Sequence, residues 1–485
     1  MKMALRCDTI IRDATLFDGS GGPRQSGDIG IKGDRIAGVG DLGGWSADRE
    51  IVATGRAVAP GFIDSHTHDD RAVLCGPACT TCKTSQGVTT VVVGNCGVSL
   101  SPLRLSKRPP PPLDLMGDER WWTFDSFGDY ADAVRKGSEV NTYAFVGHQT
   151  LRVEAMDGDV YRPANDREIG RMHDRLRQSM AEGASGFSTG LYYPLNAHAT
   201  TEEVIAVAEA IRPFGGLYTS HMRDEADRVL GSIEETAKIG IRAKIPVHVS
   251  HHKCSMPENY GRSTQTLPLL AEFARTQQLS YDVYPYPAGS TVLMPDKLRD
   301  DVEVMITWSV PHPEMAGRWL KDVARNWNTD IKGAAARLLP AGQVTFQMDE
   351  EDVRRILAHE MSVIGSDGIP HDDHPHPRLW GTFPRVLGHY VRDIGLFSLE
   401  TAIHKMTGKA AELFGIVDRG TLRPGAYADL VLFDPATIRD RATFEDPKQV
   451  SDGVDEVWCN GLPTYIAGHG ATSERPGRLI RRGRA

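Results

Sequence analysis

"GFIDSHTHDD", residues 61–70, decides how the rest of this chain is read. A short apolar run precedes two histidines, His66 and His68, that stand one residue apart. Alternate residues of a strand point to the same side. A strand ending here therefore aims both imidazoles at one point, and converging imidazoles suit a transition metal.

Outward from this stretch, apolar runs alternate with helical patterns. Eight candidate strands follow in order: VAPGFIDSH, TTVVVGNCG, TYAFVGHQ, ASGFSTGLYY, GLYTSHMR, PVHVSHHK, SYDVYPY and SVIGSDG. Between them, NDREIGRMHDRLRQSMAEG opens at a cap-like Asn165 and closes near Gly183, and TTEEVIAVAEAIRPFG has the order of a capped helix. Eight βα units predict an α/β protein built on a (β/α)8 TIM barrel over residues 58–415. The stretch from Tyr286 to Ser362 is too long for one helix. Residues of about 288–350 read as an insertion after strand seven, a lid over the site. Residues 1–57 and 416–485 instead show short alternating segments punctuated by Gly and Asp. These ends are expected to pair into one small β-sandwich or barrel domain.

The net charge of −9 over 485 residues argues against nucleic acid as a partner, because a phosphate-binding face needs clustered Lys and Arg. The one basic cluster, RPGRLIRRGRA at residues 475–485, reads as a solvated tail. No apolar run is long enough for a membrane span. MKMALRCDTIIRD lacks the apolar core of a secretory signal, and seven scattered cysteines fit a reducing cytoplasm. Cys75, Cys79 and Cys82 fall on one helical stripe and read as core. Oligomeric state is not legible.

The polar residues at the strand ends carry the chemistry. They are His66 and His68 (strand one), Cys96 (two), His148 (three), His221 with Arg223 (five), and His251, His252 and Lys253 (six). Tyr284 and Tyr286 follow from strand seven and Asp367 from strand eight. A (β/α)8 barrel gathers all such ends at one face. Cys96 as thiolate with neutral His221 and His251 would hold a catalytic zinc and leave a fourth position open. Asp367 can take a proton from water and pass it to a leaving group. HDDHPHPRLWG, residues 371–381, reads mostly as a solvated loop, with Arg378 placed to clamp a carboxylate. The reaction class is metal-assisted hydrolysis of an amide or ester. No phosphate loop is present.

GFIDSHTHDD with GNCG, SHMRDE, SHHK, GSDG, PHPRLWGTFPRVLGHY and GTLRPGAYADLVLFD resembles the N-acyl-D-amino-acid deacylases, or D-aminoacylases, of the amidohydrolase superfamily. The resemblance spans essentially the whole chain. It implies a tight zinc site at Cys96, His221 and His251, and a weaker second metal at His66 and His68. It implies that Asp367 is the general base and acid. Lys253, Tyr284, Ser290 and Arg378 would hold the substrate's α-carboxylate and acyl carbonyl, with Tyr192 shaping the pocket. Most motifs look like the neutral type, acting on N-acylated D-Met, D-Leu or D-Phe. GSTVLMPDK and ITWSVPHPE look closer to the D-glutamate type, where Lys297 could meet a side-chain carboxylate. A cyclic-amide hydrolase of the dihydroorotase or hydantoinase kind is the rival; it would use a carboxylated lysine on strand four, where this chain has GFSTGLYYP.

Overall fold

A computed structural model describes residues 5–484 of the chain. The eight barrel strands are Phe62–Asp64, Val88–Val93, Asn141–Ala144 continued as Val146–Gly147, Gly186–Gly190, Leu217–His221, Val247–Val249, Leu279–Val283 and Ser362–Ile364. Neighbours pair in parallel. Almost every residue of these strands is buried, as expected of parallel strands covered on both faces. This explains why they read as apolar runs rather than alternating patterns. The helix Asp166–Glu182 lies where its signals put it, with the Asn165–Glu168 capping box at one end and Gly183 at the other. The Thr200-capped helix ends sooner, at Ala208, and continues as a 3-10 turn to Phe214 around Pro213.

The two chain ends share one nine-stranded sheet. Its join is antiparallel pairing of Ala57–Pro60 with Leu430–Phe433, so the sheet runs past the expected boundary at residue 57. The far edge curls back, since Ile36 N–H donates to Ala426 O and Ala428 N–H to Asp34 O, each near 2.8–2.9 Å. The enclosed core is Ile11, Ile29, Ile31, Val58, Leu430 and Trp458 with their neighbours.

The insertion is a three-stranded antiparallel sheet, Gly289–Val292, Glu303–Ser309 and Ala341–Phe346, backed by helices Leu320–Asn326 and Ile331–Leu338. It is fastened to the barrel through the segment read as a solvated loop, which is a correction. His376 bonds Ala288 O at 3.0 Å, His374 bonds Phe444 O at 2.7 Å, and Asp372 and His376 are buried.

The basic C-terminus is not a solvated tail either. Leu479–Ile480 pairs in parallel with barrel strand three. Arg481 donates to Glu182 O at 2.7 Å, and Arg482 to Gly215 O at 2.9 Å and Leu413 O at 2.8 Å. These arginines satisfy exposed carbonyls at helix ends, a use that a charge run does not announce. The cysteine stripe is also broken, because Gly76 (φ +90) separates Ala72–Cys75 from Pro77–Thr84. No helix among the described residues is long and apolar enough to cross a membrane.

Candidate metal centre

Two overlapping donor groups stand at the strand ends. Ligand atoms of His66, His68, Cys96 and Asp367 lie within 4.8 Å of one another, as do those of Cys96, His221 and His251. Cys96 belongs to both. Its Sγ is 3.3 Å from His66 Nε2 and 3.3 Å from His251 Nε2. Asp367 Oδ1 is 3.4 Å from His66 Nε2 and 3.3 Å from His68 Nε2.

Local sequence explains these positions. GNCG after strand two is a turn in which Gly94 (φ +76), Cys96 (φ +53) and Gly97 (φ +76) are all left-handed. A Cβ at Gly94 would sit 2.2 Å from Phe145 O. His251 (φ +35) and Asp367 (φ +49) also adopt positive φ. Such conformations cost about 1–3 kcal/mol each and persist where the surroundings hold them. Here His251 N–H donates to Asp282 Oδ1 at 2.9 Å, and Asp367 N–H to His66 O at 2.8 Å.

Behind the donors stand residues that the sequence reading passed over. Asp282 Oδ2 is 3.3 Å from His66 Nδ1 and 2.9 Å from His248 Nε2, and His248 Nδ1 meets Ser280 Oγ at 2.7 Å. Glu225 lies 3.1 Å from His251 Nδ1, 3.5 Å from His221 Nε2 and 2.8 Å from Lys253 Nζ. Both had signals. Ser280, Asp282 and Tyr284 alternate on one face of an otherwise apolar strand, and Glu225 is four residues past His221.

The electrostatics follow from burial opposed by neighbours. Burial pushes the Cys96 thiol up, but the imidazoles of His66 and His251 outweigh it and hold the thiol well below its usual range. Burial likewise raises Asp367, but the Arg378 guanidinium and His251 prevail, leaving the carboxyl well below its ordinary value. Arg378 Nη2 lies 2.9 Å from Asp367 Oδ2 and donates to Ser290 O at 3.0 Å. Arg378 begins the helix Arg378–Arg385 rather than standing in a loop, and its Nε and Nη1 are buried without partners.

A pocket of ≈ 160 Å³ opens on the centre, walled by Tyr192, Tyr193, His221, His251, Lys253, Tyr284, Ser290, Lys297 and Asp367 among others. Tyr192 stacks on His221 at 5.3 Å, and Tyr193 bonds Thr291 of the insertion at 2.9 Å. His66, His68, Cys96 and Arg378 lie deeper, off the pocket wall. Four strand-end residues do not join the site. His148 turns to Glu203 (3.3 Å), His252 to Thr266 (2.8 Å) and Arg223 to Glu235 (2.9 Å), and Tyr286 packs on His376. Each points outward from the barrel or away from the pocket, a choice of side that the strand ends alone did not reveal.

The donor set fits a borderline-soft cation such as zinc: one thiolate-prone sulfur and two imidazoles. His221 makes the case from structure, since both of its ring nitrogens are buried without a hydrogen-bond partner.

Comparison with known proteins agrees with this arrangement. The sequence pattern of the amidohydrolase family matches residues 49–293 and 323–465. D-aminoacylase of Alcaligenes xylosoxydans xylosoxydans is 48% identical over 98% of both chains. A D-aminoacylase structure studied for its binuclear metal centre, with one-metal activation and second-metal attenuation, superposes with TM-score 0.96 at 47% identity, covering 98% of this chain and 100% of that one. N-acyl-D-glutamate deacylase from Bordetella bronchiseptica, complexed with zinc and a phosphonate mimic of the tetrahedral intermediate, superposes with TM-score 0.94 at 42% identity over 98% and 100% of the chains. With the barrel, the terminal β domain and the motifs all shared, this chain belongs to the amidohydrolase family, in its N-acyl-D-amino-acid deacylase branch.

Proposed function

We propose that this protein hydrolyses N-acyl-D-amino acids to a carboxylate and a free D-amino acid, with zinc held tightly by Cys96, His221 and His251. His66, His68 and Asp367, sharing Cys96, would hold a weaker second ion. The observation that carries this reading is that two donor groups, each within 4.8 Å and sharing Cys96, stand at the base of a pocket that Asp367 helps to wall.

Zinc there supplies Lewis-acid polarisation of the acyl carbonyl and acidifies water. The chain's own groups do the rest. Asp367, kept ionised, takes a proton from the attacking water and returns it to the departing amide nitrogen. Arg378, which lies behind the pocket wall against Asp367, would meet the α-carboxylate through its unpartnered Nη1. Lys253, Tyr284 and Ser290 hold the α-carboxylate and acyl oxygen from the pocket wall, and Tyr192 covers His221 from solvent. The seven free cysteines support a cytoplasmic setting.

The deciding measurement is a panel of N-acetyl-D- and L-amino acids with the zinc-loaded protein. Turnover confined to D substrates is expected. Turnover of hydantoins or dihydroorotate, with none on the D panel, would instead establish a cyclic-amide hydrolase. Neutral side chains, as in D-Met, D-Leu and D-Phe, are the first choice. N-acyl-D-glutamate is a second reading, favoured by Lys297, which lines the pocket 5.0 Å over the Tyr192 ring. If Lys297 serves that carboxylate, Lys297→Met lowers the ratio of kcat/KM for D-Glu over D-Met several-fold. An unchanged ratio assigns Lys297 to the solvated rim.

A further inference from the structure

The barrel has one seam without a strand ladder, and the metal centre straddles it. Strand one and strand eight share no ladder; the sheet is continuous everywhere between them except at Phe145. They meet through the Ser65 N–H and hydroxyl to Ile364 O, at 3.4 and 2.8 Å, a single bridge between Thr67 and Gly368, and the bonds Asp367 N–H to His66 O at 2.8 Å and His68 N–H to Gly368 O at 3.1 Å. His66 and His68 leave from one side of this seam and Asp367 from the other.

Lys83, from the helix Pro77–Thr84, fills the gap with a side chain only 1% exposed. Its Nζ lies 2.9 Å from Asp64 Oδ2, 2.8 Å from Ser366 Oγ and 3.4 Å from Asp69 Oδ2. Asp64 Oδ1 in turn accepts the Ser366 N–H at 2.7 Å, and Ser366 Oγ accepts the Gly368 N–H at 3.0 Å. Asp64 is two residues before His66, and Ser366 is next to Asp367. The cluster therefore ties the root of the His66–His68 pair to the root of Asp367. Burial works against the ammonium, but Asp64 and Asp69 outweigh it and hold Lys83 above its ordinary value. A buried ion pair is commonly no more stabilising than apolar residues of equal volume. Stability alone thus gives no reason for a lysine here, whereas a fixed spacing across an unladdered seam does.

We propose that Lys83 is a positioning residue: through Asp64 and Ser366 it sets the distance between the His66–His68 pair and Asp367. This rests on the deacylase reading, in which Asp367 carries the proton. Ser366→Ala removes the direct Lys83 Nζ–Ser366 Oγ link to strand eight and leaves the Lys83–Asp64 pair and the Ser366 N–H to Asp64 bond intact. It should lower kcat about ten-fold with KM within about two-fold, while one tight zinc equivalent is retained by elemental analysis. Lys83→Met should lower kcat by about 100-fold, the upper range for groups that support metal sites. If Lys83→Met does not fold, Ser366→Ala decides. An unchanged kcat in Ser366→Ala overturns the proposal, as does loss of tight zinc in step with kcat. Wild-type protein without deacylase turnover sinks the functional reading and this proposal with it. Active wild type with unaffected Ser366→Ala sinks the proposal alone.

Discussion

The two halves of the metal centre are built differently. The His66–His68–Asp367 half is dense with protein partners: His66 reaches Asp282, Cys96 and Asp367, and His68 reaches Asp367. In the other half His251 is equally well partnered, by Glu225, Lys253 and Cys96, whereas neither buried ring nitrogen of His221 has a hydrogen-bond partner and its nearest carboxylate is Glu225 at 3.5 Å. An unsatisfied buried polar group costs about 1–3 kcal/mol, so His221, with both ring nitrogens unpartnered against one in His68, gains most from an ion. That unmet need at His221 is in keeping with the proposal that Cys96, His221 and His251 hold the tight ion.

Four substitutions break or sharpen that contrast. Cys96→Ala strikes both halves at once. It should lose the tight zinc by elemental analysis and turnover with it; retention of full metal and activity would show the assignment to be wrong. Asp367→Ala strikes only the dense half. Turnover should fall by about 10²–10⁴-fold, the range for a positioned proton carrier, with the tight zinc still present. Asp282→Asn weakens the support of His66 while keeping the shape of the side chain. The weaker metal's affinity, read by chelator competition, should fall about 10–100-fold; equal loss at both positions would erase the distinction. The smallest effect concerns acid stability. Burial depresses His252 to about 3 from an ordinary 6.5. Between these values the unfolded chain binds a proton that the folded one refuses. Stability therefore rises with pH across that window, by about 1.4 kcal/mol per unit for one group. His252→Gln should flatten the acid limb of a denaturant-midpoint profile by up to that slope; an unaltered limb would show that His252 protonates freely in the fold.

Legibility varied with the kind of signal. Barrel strands were readable because parallel strands buried on both faces are apolar runs, and GFIDSHTHDD, GNCG and GSDG each ended one with a donor. The solvated-loop reading of residues 371–381 failed because His374 and His376 spend their nitrogens on distant carbonyls, Phe444 O and Ala288 O. The tail reading failed for the same reason, with Arg481 and Arg482 serving carbonyls hundreds of residues away. Lys83 was invisible because a helical lysine reads as solvated until its helix is docked.

By itself the sequence determined the barrel and the pairing of the ends, and it named eleven candidate site residues by their chemical type. Those are matters of local pattern: apolar runs, turn glycines, and side chains able to bind metal. Only the tertiary structure decided which strand-end histidines face the pocket, that Cys96 is common to both donor groups, and that Asp282, Glu225 and Lys83 stand behind them. Facing depends on the pleat and on the left-handed turns at Cys96, His251 and Asp367. Support depends on which carboxylates close packing brings within 3.5 Å, and neither is encoded at any single position.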